Sequence, residues 1–301
     1  MFWKRFISGA VILALCLIFC IYGGHVLAIG LGVLSGIAYI EFTKASGVRA
    51  KGSKINAFEI IGLIEICAYY LLLLLYEIVS VFPHSLSDWL FKSVGFFTNY
   101  SVIMLLVFMI GVISILCAYI FNFPKFNNNQ VAGAVFGLIY TTFMMSFVYY
   151  TREIEVEGED KGVFLVWLIF ITSWVSDTCA YFVGSAIGKH KMTPNLSPKK
   201  SYEGAVGGIL GSIIASGLYG LYYRAHFGLS YTVIISFCVI GAVGAFISMC
   251  GDLVASAVKR NNDVKDYGKI IPGHGGILDR FDSVLFTAPM VYFLIVLLIK
   301  L

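Results

Sequence analysis

Two aspartates stand inside apolar runs of this chain, Asp177 in the run 163–187 and Asp252 in the run 231–258. An ionised side chain at the centre of a membrane helix costs about 2.5 to 3.5 kcal/mol on insertion scales, so two of them need a return. Ser256 comes four residues after Asp252 and Lys259 seven, which puts a carboxylate, a hydroxyl and an ammonium on one helical face. For either aspartate alone, a structural hydrogen bond to a neighbouring helix is sufficient explanation. The polar residues downstream of each aspartate point instead to chemistry.

Beyond Lys259 the chain is polar and irregular as far as Asp282. Pro272, Gly273, Gly275 and Gly276 permit a tight loop whose backbone amides can approach phosphate oxygens. Asp279 and Asp282 are three apart, so at a helix start they point the same way; carboxylates there suit Mg²⁺, which takes one or two of them plus substrate phosphates. Lys259, Arg260, Lys265 and Arg280 are donors for a polyphosphate. His274, with a near-neutral reference pKa, serves either as an acid or base or as a loop hydrogen-bond donor. A second polar loop holds Lys189, Lys191, Asn195, Ser197, Lys199, Lys200 and Glu203. A solvated basic loop is the default for such a run. Two of them emerging on one side, each trailing a buried aspartate, are better explained as a site.

The elements that position these residues are set by composition. Of 301 residues, 59% are hydrophobic and 13% charged, where a soluble domain carries roughly a quarter charged residues. The expected fold is all-α, a polytopic integral membrane protein with no separate globular domain. At roughly 20 residues per crossing, spans fall near 6–22, 25–43, 57–82, 101–122, 130–150, 163–187, 204–223, 231–257 and 283–300, about nine transmembrane helices. The first run has the basic flank of a signal peptide, but it has no small-residue cleavage site and leads through Gly23-Gly24-His25 into a second span, so it is read as retained. Residues 1–150 read as scaffold and 151–301 as the catalytic region.

Lys4, Arg5, Lys44, Arg49, Lys51, Lys54, Lys125 and both polar loops share one side under this division, against Lys92, Arg152, Lys161, Arg224 and Lys300 on the other. The positive-inside rule therefore places the N-terminus and the site at the cytoplasmic face of the cell membrane. The seven cysteines lie in apolar runs without metal-ligand spacing and read as packing residues. Glu41 and Glu59, near span ends, are expected to reach headgroups or water, and Glu65 to need a partner inside the membrane. The pairs Gly204/Gly208 and Gly207/Gly211 predict close helix packing.

The run Ser256, Lys259-Arg260, Lys265-Asp266, Gly268, Pro272, His274-Gly275-Gly276, Asp279-Arg280 and Asp282 resembles the signature of the phosphatidate cytidylyltransferases, or CDP-diacylglycerol synthases. The likeness continues upstream through Ser176-Asp177-Thr178, Tyr181, Gly184, Gly188-Lys189-His190, Ser197-Pro198-Lys199-Lys200-Ser201 and Glu203-Gly204, and so covers about the C-terminal 130 residues. It implies transfer of a cytidylyl group from CTP to phosphatidate, with CTP, phosphatidate and membrane lipids as partners and no nucleic acid. It implies Mg²⁺ held principally by Asp252 and Asp279, with Asp177 and Asp282 as further ligands or orienting groups, and K⁺ as an open second cation. Lys259, Arg260, Lys265 and Arg280 would bind phosphates, with Asp177, Asp266 and His274 also catalytic. Asn195, Ser197, Lys199, Lys200, Glu203, Ser256, Gly275 and Gly276 would bind substrate. A homodimer through the glycine-rich helices stays open. Two rival readings remain at this level: a CTP-dependent polyprenol or phytol kinase, and an ion-coupled transporter using the two buried aspartates.

Overall fold

Hydrocarbon offers the backbone no hydrogen-bond partner, so each apolar run must close its own bonds as a helix. The computed structural model, which describes residues 2–49, 54–81, 100–273 and 275–300, is built that way. Among the described residues, eight helices from Gly24–Ala45 to Leu278–Lys300 are long and apolar enough to cross a membrane, and a shorter apolar helix covers Ile7–Tyr22. The chain is an all-α, multi-pass membrane protein of roughly nine spans. Among the described residues, strands form two small antiparallel hairpins in loops, Glu155–Val156 with Glu159–Asp160 and Lys191–Thr193 with Ser197–Ser201. Among the described residues no cysteine is joined in a disulfide.

The chain divides into two compact units, Met1–Phe143 with Tyr267–Leu278, and Met144–Asp266 with Asp279–Leu301. In the first, Phe2–Tyr22 and Gly24–Ala45 are separated by a single break at Gly23, where the φ angles of Gly23 and Gly24 are 62° and 46°. Both lie in the left-handed region, which only glycine adopts at little cost. The Gly24–Ala45 helix packs on Ala57–Val81 through Tyr39, which donates to the Phe58 carbonyl at 3.2 Å and occupies the space that a Cβ on Gly62 would need. Ser35 and Tyr70 form a second, fully buried hydrogen bond at 2.9 Å.

Glu41 and Glu59 do not reach water: they are 5% and 0% exposed. Internal donors hold both. Glu59 closes a reciprocal cap at the start of its helix, accepting the Asn56 N–H at 3.0 Å while the Asn56 side chain accepts the Glu59 N–H at 3.0 Å. It also accepts from the Thr43 hydroxyl at 2.8 Å and pairs with Arg49 Nε at 3.3 Å. Removing it strands a guanidinium and a hydroxyl that have little access to solvent. Glu59→Ala is therefore expected to destabilise the protein by about 3 kcal/mol, read as a lowered thermal midpoint in detergent. An unchanged midpoint would show that the network contributes nothing. Glu65 is buried against Gly111 of the Tyr100–Phe121 helix, where a Cβ would collide with its side chain. Its Oε1 has no hydrogen-bond partner among the described residues.

In the second unit, close packing at glycine sets the helix positions. The Tyr202–Phe227 helix lies so near Ser176–Ile187 that a Cβ on Gly204 would stand 2.8 Å from the Ala180 carbonyl oxygen, and one on Gly208 2.9 Å from that of Ser176. Gly207 and Gly211 meet Val183 and Cys179 in the same way. The two small-xxx-small pairs thus form the predicted ridge. On the other side of Tyr202–Phe227, Gly241 of the Thr232–Asn261 helix approaches the Ser212 carbonyl to 2.9 Å by the same measure, and Ser212 donates to the Gly241 carbonyl at 2.9 Å. The Gly162–Ile187 span has a π turn at Ile171–Val175, immediately before Ser176 and Asp177. Thr172 and Ser173 bond back to the carbonyls of Leu168 and Ile169 there. Such turns reset which face the next residues present.

On the Glu155–Asp160 hairpin, Arg152 pairs with Asp160 at 3.0 Å, and the buried Lys161 pairs with Glu157 at 2.8 Å. The hydrogen bond and charge of Lys161 hold the Glu157 carboxyl below the usual carboxylate range. These two cations offset only part of the charge of Glu153, Glu155, Glu157, Glu159 and Asp160.

Candidate active site

The polar segment 256–282 is shorter as a loop than its composition suggests. Ser256, Lys259 and Arg260 belong to the Thr232–Asn261 helix, and Asp279, Arg280 and Asp282 to the Leu278–Ile295 helix. Helical backbone carries these side chains, and rigid elements position groups more sharply than loops. Gly251 lets the two helices touch: a Cβ there would stand 2.9 Å from the Asp282 carbonyl oxygen. Asp252, the next residue, thereby comes within electrostatic reach of Asp282 and of Asp177.

Two lysines bridge this acidic group. Lys200 Nζ lies 2.5 Å from Asp252 Oδ2 and also acts on Asp177. Lys259 Nζ donates to Asp279 Oδ1 at 2.9 Å and stands 4.0 Å from Asp282 Oδ2. The Asp279 and Asp282 side chains are only 3% and 13% exposed, so their charges depend on these partners. The Ser283 side chain comes near Asp177, while Ser283 N–H donates to Asp282 Oδ1 at 2.9 Å. Ser283 had no signal in the sequence beyond its place one residue after Asp282. Packing of the Ser176–Ile187 helix brings Asp177 near it as well.

A cavity of about 270 Å³ opens on this group, lined among others by Asp177, Tyr181, Ser197, Lys199, Lys200 and Asp252. Its polar wall comes from the Lys191–Ser201 hairpin, which turns at residues 194–196 and delivers Ser197, Lys199 and Lys200 to one side. Ser201 caps the Tyr202–Phe227 helix by accepting the Gly204 N–H at 3.1 Å, which orients that strand end. Tyr181, Met192 and Met249 complete the lining, the last also offering its carbonyl to Lys200 at 3.4 Å.

The other predicted residues are placed differently. Asn195 is exposed in the hairpin turn and does not line the cavity. Glu203 accepts from His190, whose Nδ1 lies 2.6 Å from Oε1 and whose N–H reaches both carboxylate oxygens at 3.3 Å. This pair ties the start of the hairpin to the start of the Tyr202–Phe227 helix. Arg260, Lys265, Asp266 and Arg280 are exposed, and Ser256 is half-buried on its helix. Gly275 has φ of 87° in the loop and Gly276 is buried, while His274 lies outside the described residues.

No three His, Cys, Asp or Glu side chains among the described residues converge as a metal cage. The donors present are all carboxylate oxygens, in two lysine-bridged sets. Hard oxygen donors in this number fit Mg²⁺ in its usual enzymatic mode, with one or two carboxylates and the rest of the shell from phosphates and water. The lysines that neutralise the carboxylates also have the chemistry to take phosphate oxygens.

Residues 3–298 match the model of the cytidylyltransferase family. Phosphatidate cytidylyltransferases from Bacillus subtilis and Thermotoga maritima are 40% and 39% identical to the chain over 154 and 162 residues, 51% and 54% of its length. One from Staphylococcus saprophyticus is 34% identical over 172 residues, 57% of it. The matched stretches span 54%, 58% and 62% of those three proteins, so the chain spans little more than half the length of the curated relatives it matches. A family match from end to end, on a helical membrane framework with an acidic, lysine-bridged cavity, leads to one conclusion: the chain belongs to the cytidylyltransferase family.

Proposed function

We propose that this chain is a Mg²⁺-dependent phosphatidate cytidylyltransferase, acting at the cytoplasmic face of the cell membrane in phospholipid biosynthesis. The observation that carries the reading is the cavity where Lys200 and Asp252, with Asp177, adjoin the Lys259, Asp279 and Asp282 set. The chain's similarity to phosphatidate cytidylyltransferases supports the choice of substrates.

In this reaction an oxygen of the phosphatidate phosphate attacks the α-phosphorus of CTP. The bond from that phosphorus to the oxygen bridging the β-phosphate breaks, and pyrophosphate leaves with the electron pair. Little covalent chemistry falls to the protein, so its work is positioning and charge compensation. Lys200 and Lys259 hold phosphate oxygens, with Lys199, Arg260, Lys265 and Arg280 gathering the polyphosphate from the aqueous side. Asp252 and Asp279 hold the cation, with Asp177 and Asp282 orienting them or adding a ligand; K⁺ is the candidate for a second cation. When bound, Mg²⁺ supplies charge to the α-phosphoryl oxygens and the leaving pyrophosphate. Ser197 in the cavity and Ser256 contribute substrate contacts; Gly275 and Gly276 are further candidates for substrate binding, and Asp266 and His274 for catalysis. Residues 1–150 serve as scaffold and 151–301 as the catalytic region. The membrane setting suits a lipid that stays in the bilayer beside a nucleotide from the cytosol.

The purified protein given phosphatidate and CTP labelled at the α-phosphate is expected to pass the label into lipid, and CTP labelled at the γ-phosphate to leave it in pyrophosphate. Label entering lipid only from the γ-position would replace this reading by a CTP-dependent lipid kinase.

A further inference from the structure

The Gly24–Ala45 helix carries a buried carboxylate that the proposed reaction leaves unused. Glu41 Oε2 accepts the Leu278 N–H at 3.0 Å, and Leu278 is the first residue of the helix that bears Asp279 and Asp282. The same carboxylate occupies space that two other side chains would need. A Cβ on Gly276 would stand 2.5 Å from Glu41 Oε2, and one on Gly268 would overlap the carboxyl group outright. Conformational freedom does not account for these two glycines, since neither has a positive φ. Gly273 and Gly275, at 79° and 87°, do need it. Around the same carboxylate, Tyr267 is buried and stacks on Phe42 with ring centroids 6.1 Å apart, and the Ile271 N–H donates to the Gly275 carbonyl at 2.9 Å.

We propose that Glu41 is a positioning residue: an internal anion around which the loop Tyr267–Leu278 folds and which, through Leu278, sets the first turn of the helix that presents Asp279 and Asp282. The physical case has two parts. The first N–H groups of a helix have no partner within it and carry the positive end of its dipole, so a carboxylate there is favoured and makes a strong, directional bond. And a loop of small residues closed on a buried carboxylate has few alternative arrangements, because its glycines admit that carboxylate where any side chain would expel it. On this assignment, Gly268 and Gly276 are glycine because of Glu41.

The catalytic consequence rests on the cytidylyl-transfer reading; the structural one does not. Amide hydrogen exchange on the detergent-solubilised chain, without substrate or metal, is expected to quicken by about tenfold or more across Tyr267–Leu278 in Glu41→Ala, while the Thr232–Asn261 helix stays protected. Gly268→Ala should lower the thermal midpoint about as much as Glu41→Ala, and the double variant should be no worse than either alone, since both changes remove one contact. In the activity assay, Glu41→Ala should raise the Mg²⁺ concentration for half-maximal rate by about tenfold, whereas mere loss of folded protein would lower the rate with that concentration unchanged. Glu41→Gln keeps an acceptor for Leu278 and should fall between; it carries the comparison if Glu41→Ala does not fold. Unchanged exchange in the loop, or additive effects of Gly268→Ala and Glu41→Ala, would overturn the proposal. If the wild-type chain forms no CDP-diacylglycerol, the functional reading fails, and the exchange and double-variant results still decide the role of Glu41.

Discussion

Asp279→Asn is expected to lower CDP-diacylglycerol formation by about two to three orders of magnitude. The substitution keeps the shape of the side chain and an oxygen for Lys259, which now donates to Asp279 Oδ1 at 2.9 Å. It removes the negative charge, and with it both the proposed cation ligand and the nearest carboxylate to a lysine side chain only 15% exposed. Two losses are therefore superimposed, and they can be separated. Stranding the ammonium should destabilise the fold by about 3 kcal/mol, read as a lower thermal midpoint. Lys259→Met in the Asp279→Asn background should recover only part of that midpoint, because the ammonium is gone but Asp282 loses the lysine 4.0 Å from it. It should recover none of the rate. Full activity in Asp279→Asn would remove this residue from the metal site and leave Asp252 and Asp282 to carry it.

Lys200→Met should reduce kcat/KM for CTP by about a hundredfold. Its ammonium stands 2.5 Å from Asp252 and acts on Asp177, so it is the cation around which the cavity's two aspartates are arranged. Methionine keeps most of the length and apolar bulk of the stem, so the loss reports the charge. Asp252→Asn alone should also be severe. Adding it to Lys200→Met should then cost much less than the two single effects summed, as expected for residues working as one unit. Steady-state rates across the cycle decide the matter: strictly additive losses would place Lys200 and Asp252 in separate roles.

How much of the molecule was legible in its sequence differs by level. The helices were legible, because a run of about 20 apolar residues has one way to satisfy its backbone in hydrocarbon. The glycine ridge of Tyr202–Phe227 was legible for a related reason: a spacing of four puts small residues on one face whatever the neighbour is. Span boundaries were less so. Leu278–Ile295 begins well before the apolar run near 283, since Asp279, Arg280 and Asp282 are counted against hydropathy although Asp279 and Asp282 are bonded within the site.

The surprises share a cause. Glu41 and Glu59 looked like residues reaching for water, because position along a helix says nothing about which donors a fold will bring to it. Glu59 meets Arg49 and Thr43, and Glu41 meets the amide of Leu278, 237 residues away. Glu203, read as a substrate contact, also meets His190, which its sequence position did not announce. Ser283 comes near Asp177 only through helix packing.

The sequence alone determined that the chain is a bundle of membrane helices, that the carboxylates and lysines of its site are concentrated in the second half, and that their types suit a cation and phosphates. Those properties depend on composition, periodicity and the chemistry of single side chains, all of which are local. Only the tertiary structure decided which carboxylate meets which lysine or amide: Lys200 with Asp252, Lys259 with Asp279, and Glu41 with the loop before Asp279. Pairing is set by how closely helices approach, here at Gly204, Gly208, Gly241 and Gly251. A charge in a medium of low dielectric takes its character from the partner that packing supplies.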